Sequence, residues 1–197
     1  MNGTRVRSDD TSRLSLGIAL GVGVLLIAGV VFLVLLGHSK MQDVIGFDPN
    51  RPVPSDAVLR ARLKPEQYRV VRENGTETPF NNPYWNNERK GIYVDIITGE
   101  PLFTSLDKVD SATGRLTFTK PISKDLIVQK ADTSHDMQRT EVRARRSDAH
   151  LGHVFADPTS PTGERYAVNS ASFHFVPVEK MEAEGYANYL QLLDQKK

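Results

Sequence analysis

The sequence predicts a mainly β protein with antiparallel strands and small helices at both ends of its globular part. Between Gly91 and Pro177, short stretches rich in Val, Ile, Phe, Tyr and Thr follow one another at close intervals. Turn-forming runs such as TGEP and DPTSPTG separate these stretches. Apolar residues at helical spacing are confined to residues 55–74 and 179–193. No internal repeat is visible, so one domain accounts for the region.

The N-terminal region has a different composition. Residues 1–13 form a polar tail, and residues 14–37 carry no charge and are almost entirely Leu, Val, Ile, Ala and Gly. This apolar run is longer than the roughly 20 residues that cross a bilayer as a helix. A cleaved signal peptide is the alternative, but its apolar region is only about 7–15 residues long and ends at a small-residue cleavage site. We therefore predict one transmembrane helix over residues 14–37.

Flanking charges predict the orientation of this helix. Arg5, Arg7 and Arg13 precede it, whereas only Lys40 follows it closely. Because basic residues favour the cytoplasmic side, we expect a cytoplasmic N-terminus and an extracytoplasmic globular domain, in a single-pass membrane protein. Residues 38–54 form a linker, and the domain covers residues 55–197 with a core of 63–190.

Within the domain, turn and cap signals predict the order of elements. A short helix starts after Ser55 and ends near Arg62, and a second begins near Pro65 and ends at Asn74-Gly75. The predicted strands cover residues 91–97, 102–105, the end of 107–119, 125–131, 139–145, and two further strands from His150 onward. Apolar residues at helical spacing predict a final helix over residues 179–193.

Composition excludes several classes of function. The chain holds 25 basic and 24 acidic residues, so its net charge gives no argument for nucleic-acid binding. It contains no cysteine. Disulfides, thiolate metal sites and thiol nucleophiles are therefore excluded.

One predicted strand carries an unusual row of side chains. If RYAVNSASFHFVP is extended, Arg165, Ala167 and Asn169 point to one face, and Tyr166 and Val168 point to the other. The first face combines a cation, a methyl group and an amide. A reactive group would be expected in the middle of such a row, and Ala167 has none.

Several stretches together resemble the methionine-R-sulfoxide reductase (MsrB) family over residues 63–190. They are LKPEQYRVVRENGTETPF, NNPYWNNERKGIYVDIITGEPLFTS, RTEVR, HLGHVF followed by an aspartate, RYxxNSASxxFVP and EKMEAEGYANYL. The resemblance implies two antiparallel sheets packed at an angle, an arrangement called a β-tent. It also implies the family's chemistry. A cysteine thiolate attacks the sulfoxide sulfur and becomes a sulfenic acid, which a second cysteine resolves as a disulfide for reduction by thioredoxin or a related dithiol.

The resemblance assigns positions in this chain to the family's site residues. The nucleophile falls on Ala167, the resolving cysteine on Thr113, and the tryptophan that packs against the substrate methyl group on Arg115. The two histidines, the aspartate, the arginine and the asparagine that shape the pocket fall on His150, His153, Asp157, Arg165 and Asn169. The polar frame is thus present, whereas both sulfur atoms and the tryptophan are absent.

No cofactor is predicted. The family's zinc site needs two Cys-x-x-Cys pairs, but the corresponding regions read VDIITGE and RARRSDA. A metal site built from His150, His153 and Asp157 would need a bulge at Gly152, because residues three apart on a regular strand point to opposite faces. The family does not use these residues as metal ligands, so we predict no metal.

Without sulfur, the family mechanism has no nucleophile, because an alanine methyl group can neither attack a sulfoxide nor hold its oxygen. The retained polar residues have two interpretations: a pocket for a sulfoxide, a carboxylate or another small polar group, or a buried hydrogen-bond network whose members need one another. Arg115 either gives an open pocket a preference for anionic ligands, or fills the pocket, or pairs with Asp110 or Asp157.

Three functions follow. The first is a membrane-anchored extracytoplasmic pseudoenzyme that serves as a binding or scaffold module. The alternative is an active methionine-R-sulfoxide reductase that repairs oxidised envelope proteins. The third is a structural domain that assembles with a membrane protein carrying the reductase cysteines. The predicted partners are the membrane, through residues 14–37, and methionine sulfoxide in proteins or another small polar ligand. We expect neither nucleic-acid binding nor action by a thioredoxin-type reductant.

Overall fold

A computed structural model describes residues 46–194. The predicted tail, the predicted transmembrane helix at residues 14–37 and residues 38–45 of the linker lie outside these residues. Among residues 46–194, no helix combines the length and apolar character needed to cross a bilayer.

Two short helices precede eight strands. The helices are α1 (Asp56–Arg62) and α2 (Pro65–Glu73). The strands are β1 (Gly91–Asp95), β2 (Pro101–Thr104), β3 (Leu116–Phe118), β4 (Ile127–Asp132), β5 (Arg139–Ala144), β6 (His150–Ala156), β7 (Glu164–Val168) and β8 (Phe173–Pro177). Both predicted N-terminal helices are confirmed, and Asn74 ends α2 in the left-handed conformation that closes a helix.

The strands form two antiparallel sheets, as predicted. One sheet has the order β2-β1-β8 and the other the order β3-β7-β6-β5-β4. Aromatic side chains from both sheets build the core between them. Phe103 of β2 stacks on Phe118 of β3 with ring centroids 4.5 Å apart, and Tyr93 of β1 lies 5.0 Å from Phe118. Contacts of this kind add to the hydrophobic gain from burying large rings.

A second core covers the other face of the three-stranded sheet. Because side chains alternate along a strand, Ile92 and Val94 of β1 point away from Tyr93. They pack with Val176, Met181, Tyr186 and Leu193. Strand β1 is therefore buried on both faces, and all five of its residues are buried.

The segment RYAVNSASFHFVP is not one strand, and the prediction of a single strand is wrong. Strand β7 ends at Val168, a 3-10 turn covers Ser170–Ser172, and β8 then joins the other sheet. The buried carboxylate of Glu77 holds this crossing in place. It accepts hydrogen bonds from the backbone amides of Ser170 (2.6 Å) and Ala171 (3.0 Å), which the end of the strand leaves without ladder partners.

The predicted C-terminal helix over residues 179–193 is also wrong. The structure has two 3-10 turns instead, Val178–Lys180 and Ala187–Leu193. Gly185 between them has φ of 78°, which a right-handed helix cannot contain. The apolar spacing was nevertheless informative, because Met181, Tyr186 and Leu193 are buried in the second core.

Candidate functional site

A β-bulge in β6 shapes the site. Opposite β5, Gly152 pairs with Val142 and His150 pairs with Arg143, so Leu151 is an extra residue without a cross-strand partner. An extra residue interrupts the alternation of side chains along a strand. It allows two histidines three positions apart to reach the same face, which a regular strand would prevent.

The two histidine rings meet beside Ala167. Their ring centroids are 5.6 Å apart with an interplanar angle of 70°. His153 lies directly opposite Ala167 in the β6–β7 pair. Gly152 makes this close pairing possible, since a Cβ atom there would lie 2.3 Å from the Ala167 carbonyl oxygen.

Each histidine is held by a carboxylate that the sequence did not single out. Nδ1 of His150 lies 2.6 Å from Oε1 of Glu141 on β5, and Nε2 of His153 lies 2.6 Å from Oδ2 of Asp132 at the end of β4. An ionised carboxylate only accepts hydrogen bonds, so both of these nitrogens donate. The carboxylates thereby fix the orientation of both rings.

The electrostatic environment keeps these groups in defined charge states. Hydrogen bonds from Ser134 and then His153 hold the pKa of Asp132 far below its usual range, so Asp132 is ionised. Burial lowers the pKa of His150, although Glu141 opposes this effect. Burial thus favours the neutral form of the His150 imidazole. In that form Nδ1 donates to the carboxylate and Nε2 carries a lone pair.

Two guanidinium groups support the carboxylates. Glu141 receives a hydrogen bond of 2.6 Å from Nη1 of Arg143, and Asp132 receives one of 2.7 Å from Nη2 of Arg139. Charge-assisted pairs of this kind are short and directional.

Hydroxyl groups surround the other side of Ala167. In the β3–β7 pair Ala167 faces Thr117, which is fully buried. The Thr117 hydroxyl donates to Ser111 Oγ at 3.1 Å, and Ser111 Oγ lies 2.7 Å from Thr113 Oγ1. A chain of three hydroxyls therefore connects the neighbour of Ala167 to Thr113. None of these groups can pass through a sulfenic acid.

Arg165 and Asp157 interact with each other at the edge of the site. Arg165 Nε lies 3.6 Å from Asp157 Oδ2, and the guanidinium is 6.0 Å from the centroid of the Phe155 ring. Hydrogen bonds from Thr159, the largest effect, and the charge of Arg165 lower the pKa of Asp157. Arg165 keeps its predicted place on the same face of β7 as Ala167, since both are partly exposed between the buried Tyr166 and Val168.

Asn169 does not continue that row. It lies beyond the end of β7 and is 3 % exposed. Its amide donates to the Leu151 carbonyl at 3.1 Å and accepts from the Glu77 backbone amide at 3.1 Å. For this residue the geometry supports the buried-network interpretation, because both ends of the amide already have partners inside the protein.

Arg115 has a partner that the sequence did not predict. Its Nη1 donates to the Glu77 carbonyl oxygen at 3.4 Å, whereas the sequence suggests Asp110 or Asp157 as partners. Asp110 instead accepts from the Ala112 backbone amide at 2.8 Å. The Arg115 hydrogen bond is long, and it uses only one of the five N–H donors of the guanidinium.

The regions that hold zinc in the family contain a different cluster here. The fully buried carboxylate of Asp95 accepts from the Thr98 hydroxyl at 2.6 Å and from the Ile97 backbone amide at 3.1 Å. Burial raises the pKa of Asp95, and Ser147 also hydrogen-bonds to it. One carboxylate with two hydroxyls does not fit the thiolate set of a structural zinc site. Within residues 46–194, no cluster of three or more His, Cys, Asp or Glu side chains is placed to hold a metal.

A cavity of about 400 Å³ opens at the end of β4, the start of β5 and the end of β6. Its lining includes Asp132, Arg139, Val154 and Phe155. Asp132 is shared between the cavity wall and His153. The predicted site residues do not line this cavity. Two of them contact residues of its wall: His153 contacts Asp132, and Arg165 contacts Phe155.

The sequence does not single out Glu141, Asp132, Glu77 or Thr117. The sequence does contain a signal for Glu141. It lies two residues before Arg143 in RTEVR, so both charged side chains point to the same face of the predicted strand. Asp132 and Glu77 lie at strand ends and in loops, and only their tertiary contacts distinguish them from other surface acids.

Comparison with known proteins agrees with the geometry. The SelR domain family matches residues 63–177, more than half of the chain. A protein of Vibrio cholerae named "Peptide methionine sulfoxide reductase MsrA/MsrB" is 54 % identical over 139 residues, which are 71 % of this chain and 37 % of that protein. The chain therefore spans little more than a third of the length of this relative. With two antiparallel sheets, a bulged strand that carries both histidines and a family match of this extent, the chain belongs to the SelR domain (MsrB) family.

Proposed function

We propose that this protein is a SelR-domain pseudoenzyme: it keeps the pocket of a methionine-R-sulfoxide reductase without its thiol chemistry. The observation that carries the proposal is Ala167. It lies between His153 on β6 and Thr117 on β3, and the whole chain contains no cysteine.

The missing atoms are the ones that the reaction consumes and regenerates. Reduction of a sulfoxide by a thiol moves the oxygen to sulfur, and a second thiol then releases it as water. Alanine has no electron pair to offer, and Thr113 at the resolving position cannot form a disulfide. A thioredoxin-type reductant would have nothing to reduce.

The retained residues support a binding role. His150, His153 and Arg165 are positioned by carboxylates, and Ala167 is partly exposed between them. The proposed ligand is methionine sulfoxide in proteins, or another small polar group. The proposed setting is the extracytoplasmic face of a membrane, with residues 14–37 as the anchor.

The test restores the nucleophile. The full-length protein and its Ala167→Cys variant are incubated in mild detergent with a methionine-R-sulfoxide peptide and excess dithiol, and methionine is quantified. We expect no turnover by the unmodified protein and turnover at least about tenfold above background by Ala167→Cys, because the thiolate is the reacting species. Ala167→Ser is the matched control, since it adds an atom of similar position that cannot be oxidised.

Turnover by the unmodified protein would overturn the proposal and favour the second candidate, an active reductase that repairs oxidised envelope proteins. The name of the Vibrio cholerae relative is the observation that favours this candidate. Inactivity of Ala167→Cys, with its folding intact, would show that the pocket is also lost and would leave a purely structural role.

A further inference from the structure

We propose that His150 and His153 form a binding site for a divalent late transition-metal ion, with Cu²⁺ bound in preference to Zn²⁺. The first observation is the distance between the rings. Two imidazoles on one ion, with metal–nitrogen bonds of about 2.0–2.1 Å, have ring centroids roughly 5–6 Å apart. The observed centroid distance is 5.6 Å.

The second observation is that each ring has one nitrogen engaged and one left over. Glu141 accepts a hydrogen bond from Nδ1 of His150, and Asp132 accepts one from Nε2 of His153. Metal-ligating histidines almost always donate their other ring N–H to a carboxylate or carbonyl group, which fixes the tautomer and makes the free nitrogen a better ligand. Both histidines of this pair have that arrangement, and each receives it from a different strand.

The third observation is an unsatisfied buried atom. The His150 side chain is only 3 % exposed, and its Nε2 has no hydrogen-bond partner within residues 46–194. Its Nδ1 donates to Glu141, so Nε2 is a buried lone pair without a donor. Leaving such a group unpaired is unfavourable, because it has lost water without gaining another partner. A metal ion accepts that lone pair directly.

One side of the pair is open, and each nearby guanidinium is already paired with a carboxylate. Ala167 lies opposite His153 and is partly exposed, so its methyl group leaves one side of the pair open to solvent. The carboxylates of Glu141 and Asp132 are balanced by Arg143 and Arg139. The remaining nearby cation, Arg165, faces Asp157.

The ligand set determines the class of ion. Neutral imidazoles suit copper, zinc and nickel, whereas magnesium and calcium require oxygen ligands. At a given nitrogen site Cu²⁺ binds more tightly than Zn²⁺. Two protein ligands leave the remaining coordination positions to water or to an exogenous ligand in the pocket.

The experiment measures metal binding by the full-length protein in mild detergent after treatment with a chelator. Titration calorimetry at neutral pH uses Cu²⁺, Zn²⁺ and Mg²⁺ in turn. We expect one high-affinity Cu²⁺ per chain, weaker Zn²⁺ binding and no Mg²⁺ binding. The electron paramagnetic resonance spectrum of the Cu²⁺ form should show nitrogen ligands. Affinity should fall as the pH is lowered, because protons compete for the imidazoles.

Three variants locate the site. His150→Ala and His153→Ala should each weaken Cu²⁺ binding at least about 100-fold, and Glu141→Gln should weaken it about 10- to 100-fold through the ring that it supports. His174→Ala is the matched control. It removes an exposed histidine of β8 that pairs with Glu184, and it should leave the affinity unchanged. Circular dichroism checks the folding of each variant, and the partly exposed His153 carries the test if His150→Ala does not fold.

An unchanged Cu²⁺ affinity in folded His153→Ala, or equal losses in His153→Ala and His174→Ala, would overturn the proposal. Absence of any binding tighter than that of Mg²⁺ would do the same. The outcome is independent of the Ala167→Cys assay: a silent reductase can hold a metal, and a restored reductase can lack one.

Discussion

At the scale of single residues, Arg115 makes the largest chemical change to the site, because it places a cation where the resemblance implies an apolar wall. The resemblance places a tryptophan there, and this chain has a cation instead. Its hydrogen bond to the Glu77 carbonyl is 3.4 Å long, and the Glu77 carboxylate already accepts from two backbone amides. The guanidinium therefore retains donors for a ligand.

We expect Arg115 to give the pocket a preference for anions over neutral sulfoxides. In titrations of the full-length protein, a small sulfonate such as methanesulfonate should bind more tightly than a methionine-R-sulfoxide amide. Arg115→Ala should weaken sulfonate binding about 10- to 100-fold, which corresponds to the loss of one charge-assisted hydrogen bond of roughly 1.5–3 kcal/mol. Arg115→Lys should fall in between, since it keeps the charge and loses the planar fork.

Tight binding of the methionine-R-sulfoxide amide, unchanged in Arg115→Ala, would contradict this expectation. It would mean that the guanidinium only packs against Glu77 and that the ligand lies elsewhere.

At the scale of elements, the bulge in β6 decides whether the site exists. It places both histidines on one face, and Gly152 at its centre has φ of 151°. A Cβ atom there would lie 2.3 Å from the Ala167 carbonyl oxygen and 2.7 Å from the Val168 Cα atom. These are backbone atoms of the neighbouring strand, and they cannot move without separating β6 from β7.

Gly152→Ala should therefore destabilise the fold by roughly 3 kcal/mol or more, measured as a shift of the urea midpoint at constant m-value. Gly163→Ala is the matched control. Gly163 also has a positive φ, of 74°, but a Cβ atom there meets nothing within 4 Å. Its cost should be confined to the backbone conformation, at about 1–2 kcal/mol. Equal losses in the two variants would show that the contact across β6 and β7 is not what excludes a side chain.

The elements also explain which parts of the fold the sequence could predict. The alternation of apolar residues and the turn signals identified the two helices and the strands, because these patterns depend on local geometry. The crossing at Asn169 was not predictable from alternation, since the pattern of RYAVN continues through it. The crossing depends on Glu77, which lies far away in sequence. Its carboxylate accepts hydrogen bonds from the two backbone amides that no longer have partners in the sheet.

The same division applies to the site. The resemblance located Ala167, His150, His153 and Arg165, and the structure brings them to one region. Their supporting carboxylates, Glu141 and Asp132, come from neighbouring strands, and only sheet register relates them to the histidines. Register is a tertiary property that a single sequence does not display.

At the scale of the whole molecule, β1 organises the domain because it takes part in both cores. Tyr93 enters the core between the sheets, and Ile92 and Val94 enter the core closed by the C-terminal turns. If residues 14–37 are the membrane anchor that we propose, the orientation of that segment sets the compartment of the domain.

We expect the domain to lie on the extracytoplasmic side, because Arg5, Arg7 and Arg13 precede the apolar segment and only Lys40 follows it closely. The measurement is a fusion of bacterial alkaline phosphatase to the C-terminus of the full-length chain. This reporter is active only where its disulfides form, outside the reducing cytoplasm. The chain has no cysteine that could interfere with their pairing.

The fusion should be active and membrane-bound, and deletion of residues 14–37 should abolish both properties. Replacing the three arginines by serine while adding three lysines after residue 37 should reverse the orientation and lower the activity at least about tenfold, since the balance of basic residues sets topology. A full-length fusion no more active than the deletion variant would place the domain in the cytoplasm. Its pocket would then meet proteins of the cell interior rather than oxidised envelope proteins.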